Sequence, residues 1–290
     1  MTERLSSGTA TRIGLIAIAL WSTLALATAA TGAVPPFLLT ALTFFIGGLV
    51  GLIAALRGPG LRVLRQPLSA WLHGVGGLFG YHFLYFTALK LAPPAEAGLI
   101  NYLWPLLIVL LSALLPGGGL RPAHILGALL GLAGVVTLLV GKGLTGFSPA
   151  YLPGYLAAFA GAFIWSTYSV ASRRFGRVPT EAVAGFCLGT ALLAFLCHLA
   201  LEPAIWPSGG REWFAVIALG IGPVGAAFYA WDIGMKRGDV RFLGVASYAA
   251  PVLSTLLLVL AGYAEANWSL GAACALIVGG AALAARAGRH

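Results

Sequence analysis

The stretch Tyr85-Phe86-Thr87-Ala88-Leu89-Lys90, followed by Asn101-Tyr102-Leu103-Trp104-Pro105, decides how this chain folds, because it returns later in altered form. The later copy reads Trp231-Asp232-Ile233-Gly234-Met235-Lys236 and then Ser247-Tyr248-Ala249-Ala250-Pro251. Lys90 matches Lys236, Gly98 matches Gly244, Tyr102 matches Tyr248 and Pro105 matches Pro251, each pair 146 positions apart. Upstream, Leu20-Trp21-Ser22-Thr23 recurs as Ile164-Trp165-Ser166-Thr167 at a spacing of 144. Self-similarity at such a spacing signals a duplicated structural unit. In an apolar chain it signals a transporter, whose two related halves enclose a site and rock to open it to alternate sides.

Composition makes the solvent lipid. Of the residues, 60% are hydrophobic and 9% charged, with a mean hydropathy of +0.95, whereas soluble domains carry about 25% charged residues. So few charges cannot coat a globule of 290 residues. The net charge of +9 does not point to nucleic acid. The basic residues sit in short clusters between apolar runs, as the charge sorting of membrane proteins requires. The apolar run from Ile13 is followed by others and reads as a first helix, not a cleaved signal. Cys187, Cys197 and Cys274 lie in apolar segments without a Cys-x-x-Cys and read as small hydrophobes. No metal-ligand spacing and no phosphate-binding glycine loop occur. No metal and no cofactor is therefore expected, and ATP is not the direct energy source.

About 20 mainly apolar residues cross the hydrocarbon as a helix. Ten segments qualify, at 12–30, 36–56, 69–91, 94–115, 123–141, 153–172, 181–201, 213–235, 243–262 and 268–286. Short connections rich in Pro and Gly, such as Pro35-Pro36 and Gly58-Pro59-Gly60, leave no room for a soluble domain. With the amino terminus inside, 14 of the 17 Lys and Arg residues fall on the cytoplasmic side and only Lys90, Lys142 and Arg211 outside. The positive-inside rule thus places both termini in the cytoplasm. The chain reads as an all-α polytopic protein of the plasma (inner) membrane, one membrane domain built from halves 1–145 and 146–290. Five helices per half invert the second half relative to the first. Lys90 then ends the third helix outside, and its mate Lys236 ends the eighth inside. Glycines four residues apart (Gly47/Gly51, Gly76/Gly80, Gly127/Gly131, Gly185/Gly189) let helices approach closely. They are read as packing within one chain, with a homodimer as the alternative to a monomer.

Ten helices in two five-helix halves resemble the drug/metabolite transporter superfamily in its EamA-type branch. The resemblance is carried by Trp-Ser-Thr in helices 1 and 6, by the quoted stretch and its copy, and by Leu126-Gly127 echoed in Leu270-Gly271. It covers the whole chain. One departure stands out: the family usually carries an acidic residue after helices 4 and 9, and here Glu265 fills the second place while Pro116-Gly117-Gly118-Gly119 fills the first. The aromatic enrichment of helices 3, 4 and 8 is most similar to YddG-type exporters of aromatic amino acids. That resemblance implies outward movement of phenylalanine, tyrosine, tryptophan and related small metabolites.

A polar or ionisable group inside a span is costly and needs a reason. Phe79, His82, Tyr85 and Phe86 share one face of helix 3. They either pack a helix interface or form a cavity wall that stacks on an aromatic ligand, with His82 handling a polar group or a proton. Helix 4 aligns Ala97, Asn101, Trp104 and Ile108. The Asn101 amide suits the two ends of an amino acid, Trp104 offers a flat apolar face, and Pro105 frees backbone carbonyls near Asn101. Helix 8 carries Phe228, Tyr229 and Asp232 on one face with Trp231 beside them. Asp232 is either the partner of Lys236, four residues on, or a coupling group. Glu96 either complements the start of helix 4 or binds a substrate ammonium. Tyr102 and Tyr248 read as structural mates that also qualify for gating. Trp21 and Trp165 lie too deep for an interfacial belt and read as walls of a shared central cavity.

The leading reading is a secondary transporter whose site lies between the halves. Export of cationic drugs would need an unpaired acid in the cavity, which makes Asp232 and Glu96 the discriminating residues. An intramembrane metalloprotease would show His-Glu-x-x-His, and a channel a polar filter or charged ring. The sequence offers neither, so no enzyme is expected.

Overall fold

The computed structural model describes residues 5–116, 119–141, 147–262 and 265–287. Their helices are α1 (Ser7–Ala29), α2 (Pro36–Leu56), α3 (Leu68–Leu91), α4 (Pro94–Leu114), α5 (Pro122–Val140), α6 (Leu152–Ala171), α7 (Thr180–Leu201), α8 (Gly210–Arg237), α9 (Val240–Leu260) and α10 (Trp268–Arg286). No strand occurs among the described residues. Eight helices are long and apolar enough to cross a bilayer, with mean hydropathies from 1.6 to 2.3. The other two, α3 and α6, are as long, at 24 and 20 residues. They are less apolar because α3 carries His73, Tyr81, His82, Tyr85 and Lys90, and α6 carries Tyr155, Trp165, Ser166, Tyr168 and Ser169. Length and hydropathy thus select eight of the ten expected spans. Lys142, Arg4, Arg289, Gly117 and Gly118 lie outside the described residues.

Proline sets several helix starts. Pro36, Pro94 and Pro122 occupy the first turns of α2, α4 and α5, where a missing N–H costs nothing and the fixed φ already suits the helix. Proline also breaks helices. α4 stops at Asn101 and restarts at Trp104, and α9 stops at Ala246 and restarts at Ala249. Pro105 and Pro251 lie just beyond these gaps and can neither donate to nor fit against the carbonyls four residues back, at Asn101 and Ser247. α1 breaks at Ser22-Thr23, and α8 contains a π-turn over Gly222–Ala226.

Packing sorts the helices into two groups. In one, α3 packs on α6 and α7, and α6 on α4. In the other, α8 packs on α1 and α2, and α9 on α1. The groups meet where α2 lies along α7 and α4 along α9, with the α5–α10 pair beside α4 and α9. A Cβ on Gly127 would stand 2.6 Å from the Gly280 carbonyl oxygen, so α5 and α10 touch backbone to backbone. The glycines at 47, 51, 131, 185 and 189 likewise face Gly225, Tyr229, Tyr248, Trp71 and Val75 within the chain. Gly76 is the exception: a Cβ there would meet nothing within 4 Å.

Candidate functional site

Four tryptophans from four helices converge where the two groups face each other. Trp21 is the last residue before the break in α1, and Trp104 the first after the break in α4. Trp165 and Trp231 come from within α6 and α8. Each ring touches the other three, at centroid distances from 5.0 to 6.4 Å. Most contacts are edge-to-face, the favourable arrangement of ring quadrupoles. Polar handles fix the rings. Trp21 Nε1 donates to the Pro223 carbonyl in the π-turn of α8 (3.0 Å), and Trp231 Nε1 donates to Ser169 Oγ (3.0 Å). Ser166 Oγ donates to the Trp104 carbonyl (2.9 Å). Phe228 closes one side against Trp21 and Trp165, and stacks on Phe44 of α2 at 5.2 Å.

A polar flank adjoins this box. His82 lies 5.0 Å edge-on to Phe44 and 6.3 Å from Phe228. His82 Nδ1 donates to the Leu78 carbonyl at 2.7 Å, since a carbonyl only accepts. Tyr81 packs on Trp165 at 5.3 Å, and its hydroxyl accepts from Asn101 Nδ2 at 3.2 Å. Asn101 is buried, and its Oδ1 has no hydrogen-bond partner among the described residues. A buried amide oxygen without a donor is costly and ready to receive an N–H.

The two ends of the bundle differ. From Tyr81 to Thr87 every residue of α3 is half-buried. From Ala227 to Met235, all of α8 except Tyr229 and Ile233 is buried. This sealed end is the basic one, with Arg57, Arg173, Arg174, Arg177, Lys236, Arg237 and Arg241. Polar bonds close it. Lys236 Nζ lies 2.8 Å from Asp232 Oδ1 and donates to the Val178 carbonyl (2.9 Å). Thr180 Oγ1 donates to Asp232 Oδ2 (2.7 Å), and Arg173 donates to the carbonyls of Met235 and Gly238.

Of the residues singled out from sequence, Trp21, His82, Trp104, Trp165, Phe228 and Trp231 come together, with Asn101 one residue away through Tyr81. The others lie elsewhere. Phe79 packs on Phe83, which faces Phe37 of α2. Tyr85 stacks on Tyr81, farther along α3. The Tyr229 hydroxyl donates to the Gly47 carbonyl across Gly51, locking α8 to α2. Tyr102 and Tyr248 pack in a second core with α5 and α10, where Tyr248 covers Gly131. Glu96 accepts from the Tyr155 hydroxyl, and Asp232 is paired with Lys236. Sequence reasoning passed over Phe44 and Tyr81. Phe44 sits in a uniformly apolar run, and Tyr81 lies on the helix face next to the one chosen.

Comparison with known proteins places this arrangement. The EamA-like transporter family matches the chain twice, over residues 11–140 and 152–286. The chain belongs to the EamA-like transporter family. An aromatic amino acid exporter, YddG, of Ancylobacter novellus is 72% identical over 97% of this chain and 98% of its own length. The protein of that name from Salmonella typhimurium is 31% identical over 88% of this chain and 89% of its own. A solved crystal structure that is 71% identical superposes with a TM-score of 0.94, covering 98% of this chain and all of the other.

Proposed function

We propose that this chain is a secondary transporter exporting aromatic amino acids across the plasma (inner) membrane by alternating access. The observation that carries the reading is the four-tryptophan box with its polar flank. Its walls suit a planar apolar side chain. Asn101 Oδ1 offers an acceptor for a substrate ammonium, and the Tyr81 hydroxyl a donor for a carboxylate. An ammonium also gains from facing indole rings. The 72% identical relative is named for export of the same substrate class.

On this reading all ten helices span the membrane as two inverted five-helix repeats, with both termini cytoplasmic. The double family match supports the duplication. So does the packing. Exchanging each helix with the one five places along turns α3–α6 into α8–α1, α3–α7 into α8–α2 and α4–α6 into α9–α1. The same exchange leaves α2–α7, α4–α9 and α5–α10 unchanged. All of these pairs are in contact. The half-exposed α3 segment and the sealed basic end fit an outward-open form. Export of a cationic drug is the weaker reading, since Asp232 and Glu96 already have partners.

Counterflow of labelled phenylalanine into proteoliposomes tests the proposal, with lysine and glutamate in parallel. Loss of one ring contact with the ligand is worth about 1.4 kcal/mol or less, so Trp104→Ala should weaken exchange by up to about tenfold, and His82→Ala should reduce it too, both at normal expression. Wild-type rates in both variants would sink the site. Tags at both ends should report as cytoplasmic in a compartment-sensitive assay, and an external signal at either would overturn the topology.

A further inference from the structure

We infer that the buried Asp232–Lys236 pair forms the zwitterion-binding half of a second, inner subsite for free amino acids, closed in this state because the two charges satisfy each other. This rests on the transport reading above. Both side chains are 4% exposed. Taking two charges out of water is costly, and a buried pair seldom outperforms apolar packing. A seal alone would not call for it. Each charge makes one further bond, and both bonds reach the junction where the α6–α7 connection enters α7: Thr180, the first residue of α7, to the carboxylate, and the ammonium to the Val178 carbonyl. When that junction parts from α8, it exposes one acidic and one basic group side by side. They complement the ammonium and carboxylate of an amino acid through charge-assisted hydrogen bonds.

The adjoining walls suit the rest of such a ligand. A small cavity beside the pair, with room for about one water, is lined by His73, Tyr168, Phe175 and Phe186. His73 is sandwiched between Tyr168 (4.9 Å) and Phe175 (4.4 Å). The aromatic lining continues to the box, since Tyr168 touches Trp165 at 5.3 Å and Asp232 follows Trp231 in the chain. A ligand loaded here would pass from one aromatic wall to the next.

The repeat supplies an internal control. Lys236 has a mate in Lys90, but the position matching Asp232 is Phe86. Lys90 stands over the Phe37 ring at 5.7 Å, with no acid four residues before it. Duplicated architecture therefore does not demand the charge couple. It belongs to the basic end alone, the end from which an exporter takes up its cargo. In the subsite the substrate carboxylate meets Lys236 and its ammonium meets Asp232. Paired charges are exchanged for paired charges, and the net charge of the site stays at zero.

The test is phenylalanine counterflow in membrane vesicles of both orientations, with phenylethylamine (no carboxylate) and 3-phenylpropionate (no ammonium) as competitors. With the basic end facing the medium, wild type should favour phenylalanine over either competitor. Lys236→Met should raise the KM for phenylalanine about tenfold, the cost of one charge-assisted bond, and remove its advantage over phenylethylamine. Asp232→Asn should remove the advantage over 3-phenylpropionate. From the opposite side these ratios should stay at wild-type values. A change in rate by the same factor for all three compounds, with ratios intact, would reduce the pair to a latch and overturn the subsite. If the variants do not fold, wild type still decides: equal competition by all three compounds at the basic end overturns the inference. Wild type without phenylalanine counterflow from either side would instead sink the transport reading.

Discussion

Glu202, just past the end of α7, holds the start of α2, and removing it should loosen the start of α2 and the end of α7. The first four N–H positions of a helix lack internal acceptors. In α2 each has an identifiable solution. Pro36 has no N–H. Phe37 N donates to Glu202 Oε1 (2.9 Å) and Leu38 N to Oε2 (3.1 Å). Leu39 N donates to the Pro35 carbonyl (2.8 Å). His198 Nδ1 donates to the same carboxylate at 3.1 Å, and the Glu202 side chain is 3% exposed. Glu202→Ala leaves the two buried backbone donors, Phe37 N and Leu38 N, without acceptors, at about 1–3 kcal/mol each. Glu202→Gln keeps one carbonyl oxygen and loses the charge that complements the helix start, for about 1–3 kcal/mol in total. At roughly 2–4 °C per kcal/mol, the alanine variant should melt about 4–24 °C below wild type and the glutamine variant about half as far below. Thermal unfolding of purified protein in detergent, followed by size exclusion after heating, reads both. An alanine variant melting with wild type, or a glutamine variant below the alanine one, would refute the capping argument.

Two further perturbations separate packing from polar satisfaction. Ser169→Ala strands the buried Trp231 Nε1–H, so it should cost about 1–3 kcal/mol of stability and slow phenylalanine exchange, whereas Trp231→Phe should slow exchange with a smaller loss of melting temperature. Gly280→Val drives a Cβ to within 2.5 Å of the Gly127 carbonyl, an overpacking worth about 1–3 kcal/mol or more in the same melting assay. Gly76→Ala, where a Cβ meets nothing, should hold or raise the melting temperature through helix propensity, by up to about 1 kcal/mol.

Much of this architecture was legible in the sequence, for physical reasons that can be named. A chain with 9% charged residues has few solvents open to it. Deep tryptophans such as Trp21 and Trp165 have no interfacial explanation, so their convergence followed from position alone. Asp232 and Lys236 are four residues apart on one helix, and local spacing foretold their pairing. Long-range partners left no such trace. Glu202 bonds residues 164 and 165 positions away, and Tyr155 reaches Glu96 from another helix. Facial spacing also grouped residues that the packing separates. Phe79 and Tyr229 share helix faces with residues of the box, but Phe79 packs on Phe83 of its own helix and the Tyr229 hydroxyl bonds Gly47 of α2. A helix wheel gives directions, and only the neighbours decide which direction is a cavity.

The lower hydropathy of α3 and α6 has a consequence for biosynthesis. Helices that carry so many aromatic hydroxyls, histidines and serines partition weakly into lipid when presented singly. On the ten-span reading each is the other's main packing partner, yet α6 begins at Leu152, well after α3 ends at Leu91. At about 5–20 residues per second, the ribosome leaves α3 waiting for several seconds before α6 emerges. During that interval α2 and α4, its strongly apolar neighbours in sequence, must retain it as a group. On that reading insertion of this chain is a collective event, and the polar side chains of α3 and α6 set the order in which its helices can settle.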